Sequence, residues 1–85
     1  MNNDLLVTIM SENDWKNKVK GILKSEISRR NLNYVEIAER LEEIGVHETP
    51  QNISNKIGRG TFGAIFMMQI LEVIGCTDLH LEMIN

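Results

Sequence analysis

Apolar residues recur at different spacings along this chain, and each change of spacing marks an element. Leu5-Leu6-Val7-Thr8-Ile9-Met10 is a short, partly β-branched apolar run that predicts a strand or an apolar arm. From residue 12 to about 30 the spacing becomes helical. Trp15, Val19, Ile22, Leu23 and Ile27 share one face, and Ser11 with Asp14 supplies a capping-box start. Asn33 and Glu36 open a second helix whose apolar face is Tyr34, Ile37, Ala38, Leu41 and Ile44, with Gly45 as its terminator. Thr49-Pro50 starts a third helix over 50–57, anchored by Ile53 and Ile57 and stopped by Gly58 and Gly60. Thr61 is read as the cap of a fourth helix over about 62–74, ended by Gly75.

That fourth helix is apolar almost all round, broken only by Gln69 and Glu72. A helix without a polar face is either central in its fold or covered by a partner. A chain of 85 residues has few elements to surround it, which points to a homodimer through 62–74. The last segment reads two ways. Thr77-Asp78 is able to cap a short fifth helix, whereas Leu79, Leu81 and Met83 alternate with polar residues at strand spacing. Pairing of the terminal apolar segments, within a chain or between chains, is a second route to a dimer. The fold class expected is mainly α: four to five short helices, with short terminal strands as an option. Residues 1–10 are an arm or strand, and 11–85 a single helical domain.

Charge changes the picture because it is divided. The net charge is −3, which argues against a nonspecific nucleic-acid coat. Yet between Trp15 and Asn31 six cations (Lys16, Lys18, Lys20, Lys24, Arg29, Arg30) face a single Glu26. Between Glu36 and Glu48 five acids face a single Arg40. Lys16, Lys20 and Lys24 form a row at i, i+4, i+8, a repulsive arrangement that an anionic partner relieves.

Catalytic chemistry finds little support. Cys76 is the only cysteine, and with His80 and His47 it does not make a zinc ligand set. No triad logic surrounds Ser54, and Gly58-x-Gly60 lacks the remainder of a phosphate-binding fingerprint. The expectation is no enzyme, no cofactor and no metal. A lone cysteine suits a reducing cytoplasm, and neither a signal peptide nor a membrane span is expected.

The order of three blocks resembles the λ-repressor-like (Cro/C1-type) helix-turn-helix domains. They are Glu36-Ile37-Ala38-Glu39-Arg40-Leu41, Ile53-Ser54 followed by Arg59-Gly60, and Gln69-Ile70-Leu71-Glu72-Val73-Ile74-Gly75-Cys76-Thr77-Asp78-Leu79. The stretch also resembles an uncharacterised family of small bacterial proteins. Here the first motif helix is about a turn longer than usual, because Gly45 follows Ala38 by seven residues.

The resemblance implies a helix-turn-helix over 34–58 and a dimeric transcriptional regulator on double-stranded DNA. Gln51, Asn52, Ser54, Asn55 and Lys56 of the third helix are then the base-reading candidates, since amides and ammonium groups match base edges in the major groove. Lys16, Lys20, Lys24, Arg29, Arg30, Asn33 and Arg59 are the phosphate candidates. The competing expectation is a protein-interaction module on the same scaffold, engaging a regulator or toxin through the acidic helix or the Met-rich surface.

Overall fold

The computed structural model describes residues 9–79 and residue 81. Among these, four helices and no strands are present: α1 (Glu12–Arg29), α2 (Tyr34–Glu43), α3 (Pro50–Arg59) and α4 (Ala64–Ile74). This is a small all-α fold.

Local chemistry sets the helix starts. Ser11 accepts from the Asp14 N–H at 3.1 Å while the Asp14 carboxylate accepts from the Ser11 N–H at 3.0 Å. Asn33 and Glu36 form the same reciprocal box at 2.8 and 2.9 Å. Thr49 accepts from the Asn52 N–H at 3.0 Å, with Pro50 at the first helical position. Each of these caps satisfies N–H groups that the helix itself leaves without partners. At the other ends, Gly45, Gly60 and Gly75 adopt positive φ, the left-handed conformation that lets the chain turn out of a helix.

Two boundaries differ from expectation. Thr61 does not cap the fourth helix. Gly63 stands at its N-cap without a side-chain hydrogen bond. Phe62 lies outside the helix and packs on Phe66, with ring centroids 5.6 Å apart. An aromatic contact thus accompanies the later start, and the Thr61 hydroxyl makes no cap. The third helix runs to Arg59 rather than 57, so Gly58 is inside it and Arg59 is its last residue.

The core is a column of i, i+4 pairs: Leu23 and Ile27 of α1, Ile37 and Leu41 of α2, Ile53 and Ile57 of α3, with Phe66, Ile70, Leu71 and Ile74 of α4. Both α3 and α4 pack against α1 and α2. Each fully buried Ile or Leu contributes roughly 1.5–3 kcal/mol. The expected apolar face of α1 is only partly buried. Trp15 remains 46% exposed, in an open groove beside Gly60, Thr61 and Phe62. Ile44, the C-cap just past the end of α2, is also exposed although its spacing continues the stripe of Ile37 and Leu41. Ala38 is half-buried, on the α2 face that carries Ile37 and Leu41.

Residues 77–79 form neither helix nor strand. Ile9 and Met10, the end of the expected run 5–10, also form neither helix nor strand; the rest of that run, His80 and 82–84 lie outside the described residues.

Candidate nucleic-acid interface

The α3 helix is held by its two isoleucines, which leaves a polar stripe outward. Gln51, Asn52, Asn55, Gly58 and Arg59 are exposed, and Ser54 is half-buried. Gln51 and Asn55 stand one turn apart, and the Gln51 Nε2 donates to the Asn55 Oδ1 at 3.1 Å. That bond holds two amides side by side, with further donors and acceptors left over.

Lys56 points elsewhere. Its Nζ lies 2.6 Å from Glu48 Oε2 and 5.0 Å from the centroid of the Phe66 ring. An ammonium so engaged, by a carboxylate and an aromatic face together, is drawn off the outward stripe.

The cations of α1 divide into two groups. Lys20 reaches α3 directly: its Nζ donates to the Gly58 carbonyl at 3.1 Å. The Lys16 backbone abuts Gly60. With exposed Arg59, these form a basic end to α3. Lys24, Arg29 and Arg30 belong to the far end of α1, roughly 6–15 Å further along its axis at 1.5 Å per residue. Lys24 is exposed over a groove lined by Ile27, Leu32 and Tyr34.

Arg30 is occupied internally. Its Nη1 donates to the Glu26 carboxylate at 2.7 Å and to the Glu26 carbonyl at 2.8 Å. Arg29 adds a longer contact of 3.7 Å. Glu26 is 4% exposed, and the Cys76 thiol donates to the same Oε1 at 3.7 Å. The Arg30 hydrogen bond holds the Glu26 carboxyl below its ordinary range against the opposing effect of burial, and the Arg29 charge acts in the same direction. The same bond raises Arg30. This cluster ties α1 to the chain after α4. Sequence reasoning missed it, although a single Glu at i, i+3 and i, i+4 from two arginines is a readable signal.

Asn33 is likewise committed, since its side chain caps α2. The acids gather at the opposite end of α3. Glu39, Glu42 and Glu48 rim a crease of about 400 Å³ between α2 and the start of α3, floored by Val35, Ala38 and Pro50. Glu42 also lies 2.8 Å from the His47 Nδ1. The surface around α3 is therefore acidic at its N-terminal end and basic at its C-terminal end.

Among the described residues, no group of three or more His, Cys, Asp or Glu is placed to hold a metal ion. No described helix is long and apolar enough to cross a membrane. No curated protein and no solved structure matches the chain. A family model described as a domain of unknown function, DUF6471, matches residues 15–79, from Trp15 through the core helices to Leu79, and the chain belongs to that family.

Proposed function

We propose that the protein is a small sequence-specific DNA-binding protein, a dimeric transcriptional regulator that reads the major groove with α3. One observation carries the reading: the exposed amides Gln51 and Asn55 share a stripe of α3 that continues into Arg59 and Lys20. Amides pair with adenine edges, and the adjoining cations supply phosphate contacts. The order of α2, turn and α3 supports the same reading, since it resembles the layout of a helix-turn-helix. Gln51, Asn52 and Asn55 take the base-reading role, with Ser54 at the margin. Lys56 enters only when Glu48 releases it. Lys16, Lys20 and Arg59 are the nearer phosphate donors, with Lys24 and Arg29 further out.

Dimerisation through α4 is part of this proposal. Ile65 is 76% and Met68 64% exposed, one turn apart on an apolar helix. Two copies joined there would set two α3 helices on successive half-sites, and occupancy of a promoter would regulate it. The free thiol of Cys76 suits a reducing cytoplasm.

A second reading, a protein-interaction module, is favoured by the acid-rimmed crease of Val35, Ala38 and Pro50. A basic partner protein fits that surface, and duplex DNA does not.

Selection from pooled random duplexes at two salt concentrations separates the two. An enriched palindrome, retained less at high salt, supports the dimeric sequence reader. Retention of nothing at either salt refutes it and favours the interaction module.

A further inference from the structure

Gly58 occupies a helical position for which the molecule offers no internal reason. It lies within α3 and its φ is not positive. A Cβ built on it would meet no atom of the described residues within 4 Å. Gly60, by contrast, has both a positive φ and a neighbour against it. A helical glycine in open space sacrifices stability relative to alanine; Gly21 of α1 is a second such glycine, and what singles out Gly58 is the cation held against its backbone.

The surroundings name the chemistry. The Lys20 Nζ stands 3.1 Å from the Gly58 carbonyl, so an ammonium is fixed at the bare backbone. Asn55 and Arg59, both exposed, flank it one turn before and one residue after. A surface without a side chain, carrying a held cation and a second beside it, suits a phosphodiester. The ammonium meets the phosphate oxygens while the sugar–phosphate chain lies against the Cα.

We propose that Gly58 is the point of closest approach between α3 and the sugar–phosphate backbone of one DNA strand, with Lys20 as the phosphate donor at that point. The inference rests on the DNA-binding reading and deepens it by giving α3 an orientation. The C-terminal half of α3 lies along a strand, Asn55 and Gln51 face the bases, and the acids around Glu48 turn away from the duplex.

The test compares Gly58→Ala with the wild type on duplexes retained from the random pool. The added methyl is expected to make the protein more stable, raising its folding constant roughly two- to five-fold. It is expected to weaken duplex binding about ten-fold by a steric misfit, leaving sequence preference unchanged. Gly21→Ala is the control. Gly21 is also helical with open space, but it lines a separate groove with Lys18, Ile22 and Glu26. It should gain stability equally and keep full affinity. Wild-type affinity in Gly58→Ala, or an equal loss in Gly21→Ala, overturns the assignment while the DNA-binding reading stands. A wild type that retains no duplex overturns both.

Discussion

Gly60→Ala tests how α1 is fixed to the turn between α3 and α4. Two costs act at this residue. Its φ of +67° places an alanine in the left-handed region, where an L-residue loses roughly 1–2 kcal/mol. A Cβ there would also stand 2.7 Å from the Lys16 carbonyl oxygen and 3.2 Å from both the Lys16 carbonyl carbon and Cβ. Two of those atoms are backbone of α1, so relief requires the helix and the turn to separate. Overpacking of that kind costs roughly 1–3 kcal/mol. The sum is roughly 2–5 kcal/mol, a large part of the ~4–13 kcal/mol typical of a domain this size at 0.05–0.15 kcal/mol per residue.

The structure supplies its own controls. Gly45 and Gly75 have φ of +83° and +79°, and among the described residues nothing lies within 4 Å of a Cβ at either. Alanine at either should lose only the conformational cost, roughly 1–2 kcal/mol. Urea unfolding of the three variants isolates the contact as their difference. Trp15, the single tryptophan, lines the same groove as Gly60 and reports on that junction. Far-UV circular dichroism reports on the whole bundle. If Gly60→Ala falls no further than Gly45→Ala and Gly75→Ala, the close approach to Lys16 does not constrain the fold and the argument fails.

Three further outcomes are expected. Because the Glu26 carboxyl titrates below its ordinary range when folded, its contribution is complete above that range and is lost as pH falls through the folded value; Glu26→Gln should flatten the acid limb of stability against pH, and an unchanged limb would exclude Glu26 as its source. Asn33→Ala removes the side-chain half of the α2 capping box and should cost about 1 kcal/mol in chemical denaturation, with Asn33→Gly nearly neutral; equal losses in both would point to another role for the side chain. Ile65→Glu with Met68→Glu should convert a dimer to a folded monomer by sedimentation equilibrium, whereas a double variant that still dimerises would place the contact elsewhere.

The helices were legible where side-chain chemistry acts locally. Ser11 with Asp14, Asn33 with Glu36, and Thr49 with Pro50 each announce a start; the first two formed capping boxes and Thr49 a single side-chain cap. The i, i+4 pairs Ile37–Leu41 and Ile53–Ile57 announced the faces that became core. Where a competing tertiary contact decides, local pattern misleads. Thr61 had the better capping group, yet the helix starts after Gly63 and Phe62, outside it, packs on Phe66. Trp15 fits the α1 stripe, yet it stays half exposed in an open groove beside Gly60, Thr61 and Phe62 of the turn between α3 and α4. The candidate site was legible as residue types and not as geometry. Nothing along the chain distinguishes Lys56 from Asn55 as an outward group. Only the folded positions of Glu48 and Phe66 withdraw the lysine from the stripe.

That withdrawal bears on how a chain of net negative charge could meet DNA at all. Net charge sets the long-range field, whereas docking depends on the field at the surface that approaches. Here the two ends of one short helix differ in sign. Glu48, Glu42 and Glu39 surround its start, and Lys20, Lys16 and Arg59 surround its end. A helix presented start-first to a duplex would bring carboxylates against phosphates. Presented along its C-terminal half, it brings cations there and leaves the acids facing solvent or a protein partner. The Glu48–Lys56 pair fits the same division, because it holds an ammonium on the acidic side of the helix. Replacing Glu48 with Gln therefore does two things at once. It removes a carboxylate from the acidic end and frees Lys56, so duplex affinity should rise and its salt dependence should steepen by up to one phosphate contact. Unchanged affinity with an unchanged slope would mean that Lys56 lies beyond reach of any bound duplex, and would confine the interface to the stripe from Gln51 to Arg59.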